Sequence, residues 1–256
     1  MGEALLAGLV DGGFDAEDLA VAEVDADRRH SLEGRLPGVR VAPNPAWVVG
    51  DADVVIVAVK PPDVASVLEV AGPTLPEGAL VLSIAAGVTI AELEELAPGR
   101  PVVRAMPNTP ALVRKGAAAI APGTRATDVD LDTAERLLGA VGIVVRVPEK
   151  LLDSVTGCSG SGPAYVFLLA EAMIEGGVLN GLPRETATAL VHQTVLGSGM
   201  LLVDGDESAE ALRAAVTSPG GTTAAGLRAL EAHGVRAAVL EAVTAATERS
   251  RELGRA

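Results

Sequence analysis

A single cysteine, Cys158, occurs in the 256 residues, which excludes an intrachain disulfide and any metal site built on a cysteine cluster. No base is cued near it, so it reads as a small buried apolar residue. Histidine is almost as scarce: His30, His192 and His233 lie far apart and make no HxxxH or HExxH spacing, so no metal is expected. Aromatic side chains are only 2% of the chain. The interior must therefore be packed with Ala, Val and Leu, and Tyr165 reads as part of that packing. The only lysines are Lys60, Lys115 and Lys150, and the formal net charge is −14. Such a chain repels nucleic acid and anionic membrane, so any anion it binds must meet a local site. The N-terminus carries Glu3 where a secretory leader has Lys or Arg, and no apolar run approaches the roughly 18 residues of a membrane span. These features predict a cytoplasmic protein.

Short β-branched runs fill the first part of the chain: LAVAEV (19–24), VRVA (39–42), DVVIVAV (53–59), ALVLSIA (79–85), PVVRAM (101–106) and GIVVRV (142–147). Helical stretches lie between most of them, including one over residues 3–10. Apolar strands without clean alternation, separated by helices, predict an α/β domain with a mostly parallel sheet covered on both faces. Beyond Pro148 the pattern is helical, over 161–180, 183–204, 208–217, 220–233 and 235–254. The first two of these are apolar around most of their circumference, which predicts burial against a second subunit. The expected division is 1–148 and 149–256.

Several segments carry chemistry. Gly2 is either a small residue after the initiator or the last glycine of a G-x-G-x-x-G turn, with Glu23 about 20 residues on as the ribose acid. Lys60 in AVKP ends an apolar strand, either as simple punctuation or at the ligand-binding carboxyl edge of the sheet. AAG (85–87) lets a ligand lie against backbone, and MPNTP (106–110) sets Asn108 and Thr109 in a rigid turn at another strand end. GCSGSGPAY (157–165) is either a loop with free N–H groups or a tight helix crossing. SPGGTT (218–223) leads into a helix with exposed N–H groups, a positive dipole end and two hydroxyls, a compact carboxylate site.

Taken together and in this order, AVKP, AAG, RAMPNTP, SGSGPAY, EGGVLNGL and SPGGTT resemble the pyrroline-5-carboxylate reductases, over essentially all of the chain. The resemblance implies a Rossmann-type domain followed by an all-helical domain that interlocks with a second subunit, with dimers commonly assembling into decamers. It implies reduction of 1-pyrroline-5-carboxylate to L-proline by NADPH or NADH. Ala58, Val59, Lys60, Pro61, Ala85, Ala86, Gly87, Met106, Pro107, Asn108 and Thr109 would line the cofactor, with Gly2, Glu23 and Asn44 toward its pyrophosphate and adenosine end. Ser218, Gly220, Gly221 and Thr222 would hold the substrate carboxylate, and Thr223, with Ser218, would serve the reacting ring. Glu23 and Asp25 favour a ribose hydroxyl while Arg28 and Arg29 lie near enough to attract a 2′-phosphate, so the balance leans slightly to NADH.

Two departures bear on these expectations. Relatives open with a strand of the type IGFIGGGNMGEAL, and this chain starts at the Met-Gly inside it, so the first strand is expected to be absent and the cofactor domain disordered or rearranged. Where relatives have Asn ahead of the third strand, Pro45 stands here and Asn44 is one position early. A non-catalytic dimeric remnant, or a related imine or β-hydroxyacid reductase, is the alternative reading.

Overall fold

The computed structural model describes residues 1–254. It divides into two compact units, one of Met1–Ser161 together with the last helical turns from Ala245, the other of Gly162–Thr244.

In the first unit the elements in chain order are α1 (Gly2–Asp11), β1 (Ala20–Ala22), α2 (Ala26–Arg35), β2 (Arg40–Ala42), β3 (Val54–Val57), α3 (Val64–Ala71), β4 (Leu80–Ser83), α4 (Ile90–Leu96), β5 (Val102–Met106), β6 (Gly116–Pro122), α5 (Asp128–Gly139), β7 (Gly142–Arg146) and the short α6 (Leu152–Val155). All six predicted strands are formed. β6, which the sequence did not suggest, is the seventh. Parallel strands β3, β4 and β5 pair in that order, β6 joins β5 antiparallel, and β7 is parallel to β6.

The sheet is covered on both faces because its central strands β4 and β5 are buried and mostly apolar. Leu80 and Leu82 of β4 pack with Leu5 and Leu9 of α1 and Leu131 and Leu138 of α5. The intervening Val81 points to the other face, among Val64 and Leu68 of α3 and Leu93 of α4. Helix starts are set by side chains: Thr89 and Glu92 form a reciprocal capping box on α4, as do Thr127 and Asp130 on α5.

β1 and β2 form a separate parallel pair. The sheet is thus in two parts, with the strands of both formed. Ala20, Ala22 and Val55 pack around one common cluster with Ala42, Val48 and Leu75. Leu80 N–H donates to the Asp53 carbonyl and Ile84 N–H to that of Val57. Strand alternation then turns the peptide groups of Val54 and Ile56 to the opposite edge, where no strand pairs with them among the described residues.

The second unit contains α7 (Gly162–Leu179), α8 (Arg184–Asp204), α9 (Ala209–Ala215), α10 (Thr222–Ala232) and the start of α11 (Val235–Leu253), whose last turns belong to the first unit. Two residues past the end of α7, Gly181 has a left-handed φ of +95° that favours glycine. α7 and α8 approach closely there, since a Cβ on Gly177 would lie 3.2 Å from that of Ala187. No residue of α7 is buried, and only Ala187 and Val191 of α8 are. The helices over Glu149–Leu179 and Arg184–Asp204 are long and apolar enough to cross a membrane by length and composition. This corrects the expectation from the sequence, where scattered acids such as Glu171 and Glu175 hide the length of the apolar stretches. Buried helices of an assembly meet the same measure.

Candidate active site

Because β3, β4 and β5 are parallel neighbours, the loops that follow them, 58–61, 84–89 and 107–109, emerge side by side at the carboxyl edge of the sheet. α1 begins at the same edge: a Cβ on Gly2 would lie 2.9 Å from that of Ala58. Its N-cap, Met1, supplies no side-chain hydrogen bond, so the first-turn N–H groups are available to an anion. Ala58, Lys60, Pro61, Ala86 and Thr109 are exposed, and Val59, Gly87, Met106 and Pro107 are half-buried. Gly87 has a φ of +82°, and a side chain there would be strained as well as obstructive. Lys60 makes no ion pair among the described residues. An uncapped helix start, a glycine without room for Cβ and three loops of small residues fit the pyrophosphate and nicotinamide of a dinucleotide.

Two residues expected on this surface are turned inward. Ala85 is 3% exposed and Asn108 9%. The Asn108 carbonyl oxygen accepts from Ala117 N–H at 2.9 Å, and its amide nitrogen donates to the Ser159 carbonyl at 3.0 Å. Both ends of this side chain are therefore committed to the protein. Asn44 is half committed, its oxygen accepting from Ala46 N–H at 2.9 Å to cap a short 3-10 turn.

At the adenosine end, Glu23 accepts from Asp25 N–H at 3.0 Å and lies 3.3 Å from Arg28 Nε. Glu3 pairs with Arg35, and its other oxygen lies 3.9 Å from Arg28. Asp25 is an N-cap of α2, accepting from Arg28 N–H. Arg29 donates to the carbonyls of Glu23 and Val24. All four residues weighed from the sequence thus have local partners, Glu23 and Arg28 each other.

A second buried tie was not among the expectations from the sequence. Arg104, 11% exposed at its side chain, pairs with Glu149 at 2.9 Å, and the same carboxylate oxygen accepts from Ile90 N–H at the start of α4. A lone arginine inside the apolar run VVRAM was the available signal. Residues Thr156–Gly160 form a π-turn closed by Ser161 N–H on the Thr156 carbonyl. This turn, not a plain loop, carries the glycine-serine segment. Cys158 within it is exposed, correcting the expectation of a buried thiol.

In the helical unit, Ser218–Gly221 form a turn closed by Gly221 N–H on the Ser218 carbonyl. Gly220 has a φ of +71°, and a Cβ on Gly221 would collide with the Ser218 hydroxyl. Both glycines are therefore dictated by the backbone. Gly221 N-caps α10 without a side-chain bond. The N–H groups of Thr222 and Thr223 lie at a positive dipole end, and Thr223 is half-buried. Gly221 itself has no N–H to spare for a ligand.

Comparison with known proteins places these features in context. Residues 149–253 match the family described as pyrroline-5-carboxylate reductase dimerisation, and residues 1–87 match that described as NADP oxidoreductase, coenzyme F420-dependent. The chain is 43% identical over 257 residues to the pyrroline-5-carboxylate reductase of Methanosarcina acetivorans, covering 100% of this chain and 95% of the relative. A solved pyrroline-5-carboxylate reductase from Coxiella burnetii superposes with a TM-score of 0.93 at 36% identity, covering 98% of this chain and 94% of that one. The Plasmodium falciparum pyrroline carboxylate reductase, solved with NADP bound, gives 0.86 at 33% identity, covering 99% and 94%.

Proposed function

The chain belongs to the pyrroline-5-carboxylate reductase family, and from that premise we propose how its own residues carry out the reaction. The activity is the reduction of 1-pyrroline-5-carboxylate to L-proline with NAD(P)H, the last step of proline biosynthesis. When bound, the cofactor supplies a hydride to the carbon of the C=N bond. The α1 start at Gly2 holds its pyrophosphate, and the loops of Ala58–Pro61, Ala86–Gly87 and Met106–Thr109 support the nicotinamide end. Ala85 and Asn108 act from beneath, the second through its amide ties. Glu23 and the amide nitrogen of Asn44 receive the adenosine ribose. With Arg28 beside Glu23, both NADH and NADPH are accommodated, and paired titrations with the two cofactors measure the preference.

The observation that carries the substrate assignment is the Ser218–Thr223 turn. The substrate carboxylate is held by the Ser218 hydroxyl and the N–H groups of Gly220, Thr222 and Thr223. Gly221 keeps the turn closed. The protonated ring nitrogen donates to the Thr223 hydroxyl, and its proton comes from solvent, so no acidic side chain is required. The functional boundary lies between 148 and 149, where the dimerisation match begins. The dimerisation family supports a homodimer, and its further assembly to a decamer in the cytoplasm completes the reading.

Thr223→Ala removes the hydrogen bond that orients the ring nitrogen for hydride transfer. It is expected to lower kcat/KM about 10- to 100-fold, about 1.5–3 kcal/mol. Steady-state kinetics with pyrroline-5-carboxylate check this, and unchanged kinetics would remove Thr223 from the site.

A further inference from the structure

The side chain of Asn108 sits at the crossing of three segments, one of them some fifty residues away in sequence. It belongs to the loop after β5. Its oxygen accepts the N–H of Ala117 in β6 at 2.9 Å, and its nitrogen donates to the carbonyl of Ser159 in the π-turn at 3.0 Å. It is 9% exposed. Two residues earlier, the Met106 methyl lies against Gly160, where a Cβ would approach it to 2.7 Å. The π-turn carries its own unusual bond, Ser161 N–H to the Thr156 carbonyl at 2.8 Å. π-turns are costly local geometries that recur at functional sites.

An asparagine amide is the one side chain of this length that both accepts a peptide N–H and donates to a peptide carbonyl in the same plane. Aspartate preserves the acceptor and presents an oxygen to the Ser159 carbonyl in place of a donor. Alanine leaves a buried N–H and a buried carbonyl without partners. The residue therefore couples the position of the β5 loop to that of the π-turn.

We propose that Asn108 is a positioning residue for hydride transfer, fixing the Met106–Thr109 loop and the Thr156–Gly160 turn as one rigid platform for the reacting end of the cofactor. The inference rests on the reductase reading above. It goes beyond it by giving the asparagine an indirect role, with no contact to the cofactor through its amide.

The test compares wild type with Asn108→Asp in the full-length dimer, measuring kcat, KM, the NADPH dissociation constant and the pH profile of kcat. The aspartate variant is expected to bind NADPH within about 3-fold of wild type while kcat falls about 10- to 100-fold at neutral pH, the scale of a misplacement near 1 Å. Both partners of the amide are neutral peptide groups, and the neighbouring Cys158 is exposed. Acidification should then restore part of kcat in the variant alone, because a protonated carboxyl again donates to Ser159. Wild-type kcat in the variant, or a kcat loss that no acidification relieves, would overturn the positioning role. A large loss of NADPH affinity at unchanged kcat would also overturn it, by making Asn108 a binding contact. Absence of pyrroline-5-carboxylate reduction by wild type would instead refute the reductase reading.

Discussion

β4 and α7 are built from similar apolar residues and meet opposite fates. In β4, Val81 and Leu82 are 0% exposed, enclosed by neighbouring strands and by helices on both faces. In α7, Phe167 and Leu168 are 66% and 67% exposed, and no residue of the helix is buried. Burying one such side chain is worth about 1.5–3 kcal/mol, so α7 leaves unrealised much of what β4 gains. Apolar composition states that a surface will be covered, but only the neighbours in the fold say whether the cover is the same chain. The half that holds α7 and α8 matches the dimerisation family, which supports a homodimer.

The largest expected effect comes from charging the bare helices. Leu168→Asp with Leu201→Asp, at positions 67% and 61% exposed, should weaken dimerisation by about 1,000-fold, about 4 kcal/mol. Sedimentation velocity over a dilution series reads this directly, and an undisturbed dimer would break the comparison. Next is Leu82→Ala in β4. It should cost about 2–5 kcal/mol in denaturant unfolding through the cavity it leaves, with the dimer dissociation constant unchanged. A shift in dimerisation instead would mean that the sheet and the interface are not separable.

The smallest effect sharpens the contrast from the solvent side. The Arg146 guanidinium bonds Glu135 and pairs with Asp132, holding the Glu135 carboxyl below the usual glutamate range. A depressed folded pKa gives stability that is present above the unfolded value and lost as pH falls through the folded one. The stability difference between wild type and Arg146→Ala should accordingly be small at neutral pH and vanish below the ordinary carboxylate range. Thermal melts at several pH values check it. A difference that persisted in acid would assign Arg146 a packing role.

Much of this architecture was legible in the sequence because it follows period and punctuation. The long helices begin and end within a few residues of where Pro183, Gly181 and the Ser218–Gly221 turn place them. β6 was not legible. Its sequence, GAAAIAP, is mostly alanine, which has no strand preference of its own, and pairing with β5 and β7 makes it a strand. The substrate turn was visible because glycine and hydroxyl positions are local constraints. The inward turn of Asn108 and the identity of the partner of Arg104 depend on Ser159 and Glu149, tens of residues away, which no local pattern encodes.

The free edge of β3 gives this strand two different lifetimes along one backbone. The peptide groups of Val55 and Val57 are shielded by their ladder to β4, whereas those of Val54 and Ile56 face an edge without a strand partner among the described residues. Val54, Val55 and Ile56 are each only half-buried, although they lie between covered strands and helices. In deuterated solvent, neighbouring amides of one short strand would therefore keep separate clocks: one set tied to the opening of the whole sheet, the other running with local fluctuations that never unfold it.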